Sequence, residues 1–152
     1  MKTLLCFIST MMIASCATHE NPMLARAPAQ VGIVNHTANF IYSASVDGDG
    51  GGSMSKWGAG IGEICCASIP KIWRPGIVVL VRWDMPEDHQ HIVKEKLVEV
   101  EKYERPGDIY LHFFPDDVIR VVVSNTAGWG KSHPIPPPTK PDANLTEKST
   151  AK

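Results

Sequence analysis

Four cysteines, six histidines and four tryptophans carry most of the chemistry this 152-residue chain can offer, and their spacing decides which kind. An activated serine needs a base within reach, and no Gly-x-Ser-x-Gly elbow presents one on a sharp strand-to-helix turn. Some Ser, His and Asp can be drawn from any chain of this length, so hydrolysis has no motif behind it and the chain reads as a non-enzyme. Asp88, His89 and His91 form a short run that lacks further ligands at a recognised spacing, so no metal is expected there. Asp47-Gly48-Asp49-Gly50 resembles the start of a calcium loop, but the twelfth position from Asp47 is Gly58, where such a loop needs a bidentate Glu. Gly58-Ala59-Gly60-Ile61-Gly62 has the wrong spacing for a dinucleotide fingerprint and precedes a strand rather than a helix. No cofactor is implied.

What remains is recognition chemistry. Trp57 lies beside a glycine-dense loop that also carries Asp47 and Asp49, Trp73-Arg74 sits at a Pro-Gly turn, and Trp129 is flanked by Gly128 and Gly130. Trp and Arg on loops are the residue types enriched in protein-binding hot spots. The plainer alternative is that each indole tucks over an end of the fold. Cys65 and Cys66 are adjacent and leave two readings open. One is a vicinal disulfide, strained because neighbouring Cα atoms are about 3.8 Å apart where bridged pairs usually span about 4.4–6.8 Å. The other is two thiols on opposite faces of a strand.

The elements that position these residues are short, β-branched or aromatic, and separated by turn residues, the pattern of an all-β domain. Strands are expected over Val31–Asn35, Phe40–Val46, Gly62–Ile69, Ile77–Asp84, Asp108–Phe114 and Val118–Asn125. In the second of these, Phe40, Tyr42, Ala44 and Val46 should share one face. In Ile77–Asp84, Val79, Val81 and Trp83 should face inward. Asp108–Phe114 and Val118–Asn125 carry large apolar residues on both faces and should form a central hairpin. Residues 47–60 read as a glycine-dense loop, flexible or turn-rich. His89–Tyr103 fits either a helical face or an edge strand, and the strand is preferred over its second half. The sum is about seven short strands, arranged most simply as a two-sheet sandwich or a partly open barrel.

At the N-terminus, Lys2 precedes an apolar run from Leu4 to Ile13 that ends in small residues before Cys16, the form of a secretion signal over residues 1–15. The run is shorter than the roughly 20 residues needed to span a bilayer. Ile13-Ala14-Ser15-Cys16 resembles the bacterial lipobox, which implies lipid attachment at Cys16. Several acyl chains make such an anchor effectively permanent. Ala17 replaces the aspartate that commonly marks inner-membrane retention, so the resemblance implies the outer membrane, facing the periplasm. Residues 16–30 then form a tether, residues 31–130 one domain, and residues 131–152 a Pro-rich tail, extended or disordered. Two sequons, Asn35-His36-Thr37 and Asn144-Leu145-Thr146, have no role in a bacterial lipoprotein. Of 15 basic and 16 acidic residues the signal removes only Lys2, so the exported chain stays near neutral and has no electrostatic footprint for nucleic acid.

Several segments carry a wider likeness: Val34-Asn35-His36-Thr37, Ile41-Tyr42-Ser43, Ser45-Val46-Asp47-Gly48, Cys65-Cys66, Ile72-Trp73-Arg74-Pro75-Gly76 and Val81-Arg82-Trp83. It continues through Pro106–Phe113 and Val121–Asn125 to the Pro-rich end. In these the chain resembles a family of small bacterial lipoproteins long labelled as of unknown function, with members reported as immunity proteins against lipase effectors of the type VI secretion system. The resemblance implies a protein partner, a lipase toxin, neutralised by binding. The residues 48–57 loop and the Trp73-Arg74 turn would make that contact. The competing expectation is an envelope-assembly or secretion-accessory lipoprotein with the same anchor and β-domain.

Overall fold

Alternation of apolar and polar residues is cleanest in Val78–Asp84, where Val79, Val81 and Trp83 are buried while Val78, Leu80 and Arg82 face solvent. This strand is β5 of eight in the computed structural model, which describes residue 21 and residues 24–141. The others are β1 (Arg26–Asn35), β2 (Ile41–Val46), β3 (Asp49–Met54), β4 (Ile64–Pro70), β6 (Val93–Glu99), β7 (Asp108–Phe114) and β8 (Val118–Ser124). They form two four-stranded sheets, ordered β4-β1-β7-β8 and β3-β2-β5-β6. The inward rows of both, including Val31, Ile33, Leu111, Phe113 and Val121 against Ile41, Val46, Val81 and Trp83, make one continuous core. The architecture is an all-β sandwich and not a closed barrel. No helix of the described residues is long and apolar enough to cross a membrane. The expected signal, the lipobox Cys16 and the end of the tail from residue 142 lie outside the described residues.

The eighth strand comes from the stretch expected to be a glycine-dense loop. Asp47 and Gly48 both have positive φ, 51° and 91°, and join β2 to β3 as a two-residue hairpin turn. A type I′ turn demands positive φ at both central positions and matches the twist of the flanking strands, so Asp-Gly is among its preferred pairs. The glycines of β3 also let the two sheets close along one side: a Cβ on Gly52 would lie 2.0 Å from Ile64 Cδ1 of β4. On the other side the chain after β6 crosses over, where Val100 bridges Val121 of β8 and Glu101 N–H donates to the Val121 carbonyl at 2.9 Å.

Four further expectations change. Ile41 is fully buried and Tyr42 exposed, because an irregularity between Ile41 and Ala44 resets the alternation that would have put Phe40 and Tyr42 inside. β1 starts five residues early, at Arg26, since Arg26–Ala29 ladder onto Pro70–Ala67 of β4. β7 joins β1 only from Val31, so Pro28 sits on an edge, where a missing N–H is tolerated. β7 is central as expected but β8 is an edge strand. Finally, the domain does not stop near residue 130. Gly128 packs against Val34 and its N–H donates to the Gly60 carbonyl at 3.0 Å, and Ile135 joins Val34, Tyr110 and Val122 in a second apolar cluster. This C-terminal strap covers the outer face of the first sheet and explains why β7 is apolar on both sides.

The strands' directions set the molecule's polarity. β1 runs from Arg26 at the near end, where the chain arrives from its N-terminus, to Asn35 at the far end. Ten strand residues span about 33 Å.

Candidate functional site

The far end of the sandwich is assembled around Asn35, whose side chain is fully buried. Its Nδ2 donates to the Asn39 carbonyl at 2.7 Å and to the Ser55 carbonyl at 3.1 Å. Its Oδ1 accepts from Thr37 N–H at 3.0 Å and from Thr37 Oγ1 at 2.8 Å. A buried amide with all its bonding capacity used is rigid, and here it clamps the β1–β2 turn to the Ser55–Gly58 turn.

Between those turns and the β5–β6 and β7–β8 hairpins opens a cleft of about 380 Å³. Trp83 and Phe113, both core residues, lie deepest, and Trp57, Met85 and Phe114 form its walls. Glu87, Asp116, Asp117 and Lys94 stand on the rim. Lys94 Nζ bonds both oxygens of Asp117, at 2.7 and 3.0 Å. Among the described residues, the ion pairs leave the carboxylates of Glu87 and Asp116 uncompensated.

Trp57 has a φ of 55°. Five other non-glycine residues share positive φ, and each is explained by a hairpin: Asp47 at β2–β3, Asp88 and His89 between the paired Glu87 and Gln90, and Asp116 and Asp117 between Pro115 and Val118. Trp57 is different. It occupies the third position of a turn closed by Gly58 N–H to the Ser55 carbonyl, a place where glycine or asparagine is usual. A bulky side chain there is an outlier, and such strain concentrates at ligand-binding sites.

Behind the cleft wall runs a chain of three histidines. His36 stacks on Phe114 with centroids 4.2 Å apart, and its Nε2 lies 3.0 Å from His112 Nδ1. His112 Nε2 lies 2.9 Å from His133 Nε2, and His133 Nδ1 donates to the Thr126 carbonyl at 2.8 Å. A carbonyl only accepts, so His133 carries its proton on Nδ1. With all three rings neutral, His112 must then donate to His133 and His36 to His112, one tautomer for each ring. Burial holds His112 down to a pKa of about 3, helped by His133, His36 and Arg120. Burial, and then Arg120, lowers His36; burial lowers His133 against the opposing Thr126 hydrogen bond. The ring nitrogens bond one another instead of converging, and no group of three metal-capable side chains occurs among the described residues.

The residues expected to share one contact surface are divided. Trp57 is at the far end. Trp73 is at the near end, packed on the core with Nε1 donating to the Val100 carbonyl at 3.1 Å, as the tucked reading would have it. Arg74 is exposed beside it. Asp47 caps β5 through a 2.8 Å bond from Leu80 N–H, and Asp49 lies near Arg26 in a small near-end hollow. Trp129 is 55% exposed on the strap. His91 bonds Asp84 at 2.5 Å and so does not join Asp88 and His89 as a metal pair. Cys65 and Cys66, both exposed on β4, are brought together as a vicinal pair across a cis peptide.

Residue type and spacing do not single out Asn35, His36, His112, Met85 and Phe114. The usable signal is Asn35-His36-Thr37, a side chain poised to bond its own backbone two residues on, in a stretch that also reads as a sequon. No curated protein and no solved structure matches the chain. A family model does, from residue 34, beside the clamp, to residue 121 in β8. The cleft-forming turns and hairpins all fall within that match, and the chain belongs to the family described as protein of unknown function (DUF3304).

Proposed function

We propose that this protein is a lipid-anchored immunity protein of the periplasm, held at the outer membrane by Cys16, that binds and neutralises a phospholipase effector delivered by a type VI secretion system. The reading rests on the likeness to immunity lipoproteins carried by the segments from Val34 to Asn125. The structural observation that supports it best is the aromatic cleft walled by Trp57 at the end of the sandwich opposite the tether. A lipase must reach a membrane to act, and an inhibitor tethered at that surface meets it at high local concentration. The far end lies roughly the length of β1, about 33 Å, from Arg26, where that strand begins. Inhibition would be stoichiometric, with the cleft and its loops covering the lipase's active-site mouth.

The test is co-purification of residues 17–152, which contain every described element, with the lipase encoded beside the gene, followed by a phospholipase assay. Tight association with loss of lipase activity at an equimolar ratio is the expected result. Absence of binding to any encoded lipase would sink the reading and favour an envelope-assembly role for the same anchored domain.

A further inference from the structure

We propose that the far-end cleft is a receptor for a cationic side chain, arginine foremost, presented on a loop of a partner protein. The inference deepens the function proposed above by naming what the cleft takes. Three observations carry it. Trp57 and Phe114 wall the opening with half-buried aromatic surface, and the first is held there by a backbone conformation tryptophan rarely adopts. Aromatic faces attract cations, and the planar guanidinium both stacks on rings and forks onto carboxylates. The rim supplies those carboxylates: Glu87 and Asp116 are exposed and uncompensated among the described residues, whereas Lys94 already satisfies Asp117. The histidine chain behind the wall is neutral near pH 7, so it does not repel a guest cation there. The same aromatic and acidic chemistry would accept a choline headgroup. The cleft opens at the end of β1 away from the N-terminal connection, which favours a guest from a partner over one from an anchoring bilayer.

The test titrates isotope-labelled residues 17–152 with acetyl-Gly-Arg-Gly-amide, following the four indole N–H resonances by NMR. The citrulline analogue, equal in shape and uncharged, and phosphocholine are run beside it. Saturable shifts of Trp57 and Trp83 are expected, with Trp73 at the opposite end unmoved. Affinity should fall at least tenfold for the citrulline peptide and about fivefold in the Glu87→Gln, Asp116→Asn double variant. Both substitutions are isosteric at exposed positions, and asparagine tolerates positive φ, so the fold should be retained. Equal binding of citrulline, equal movement of Trp73, or tighter binding of phosphocholine would each overturn the proposal. The immunity reading is judged separately: a lipase held equally well by the double variant removes the arginine receptor and leaves immunity standing, while arginine binding without any lipase partner does the reverse.

Discussion

An imidazole stripped of water loses the solvation its charged form needs, and His112, fully buried between two other histidines, is in that position. Its depressed pKa of about 3, and the lowered values of His36 and His133, fix the sign of the pH dependence. Above the unfolded value of about 6.5 both states are neutral and the arrangement is fully stable. As pH falls below that, the unfolded chain takes up protons that the folded chain refuses, so stability drops by up to about 1.4 kcal/mol per pH unit for His112, with His36 and His133 acting in the same direction. The urea midpoint should therefore stay level above about pH 7 and fall from there to pH 5; a flat profile throughout would show that these rings are not held neutral. Trp57 supports a second prediction at this scale. Trp57→Gly relieves a strained φ, worth roughly 1–3 kcal/mol, while removing one wall of the cleft. Thermal stability is expected to hold or rise while partner affinity falls at least tenfold, and a variant that binds normally would remove Trp57 from the contact.

At the scale of elements, the strap after β8 is the segment whose loss would be felt most. It buries Ile135 against Val34, Tyr110 and Val122 and delivers His133 to the histidine chain. Burying one isoleucine contributes about 1.5–3 kcal/mol, and a chain ending at residue 130 would also lose the His112–His133 hydrogen bond, worth about 0.5–1.5 kcal/mol more. Truncation there should lower the unfolding free energy by about 2–4.5 kcal/mol, measured by urea denaturation, whereas truncation at residue 141 should leave it unchanged. Elsewhere the chain shows how edges are kept from pairing. The edge strand β6 carries Lys94, Glu95, Lys96 and Glu99 among its seven residues, charges that discourage strand addition. Leu80 and Leu97, paired across β5 and β6, remain exposed on the outer face of that sheet.

For the whole molecule the question is where it is held and which way it points. The cleft lies at the end of the sandwich away from Arg26, where β1 begins, so the proposed anchor and the cleft should be separable by mutation. Cys16→Ser is expected to move the protein from the membrane fraction to the soluble one, without changing the affinity of the purified domain for its partner. Retention in the membrane fraction would show that something other than a lipid on Cys16 holds it. Loss of solution affinity would show that the tether contributes to the contact.

Much of the fold was legible because burial on one face of a sheet writes a period of two into the chain. β5 followed from that alone, while the β7–β8 hairpin was legible as two apolar runs joined by a turn, β7 being apolar on both faces because both are covered. β3 was hidden because glycine has no side chain to register a period, although Asp47-Gly48 carried the turn signal. The loop position of Trp57 was readable from the sequence, but its separation from Trp73, Asp47 and Asp49 was not, since which loops share an end depends on strand direction and pairing. The histidine chain was beyond reach for the same reason. His36, His112 and His133 come from a turn, a strand and a strap, 76 and 21 residues apart along the chain. Residue types and periodicity determined that this is an all-β domain with aromatic residues on its loops. Only tertiary packing decided which residues meet, because the distances that make a clamp, a cleft or a proton-ordered chain run across the sheets and leave no spacing in the sequence.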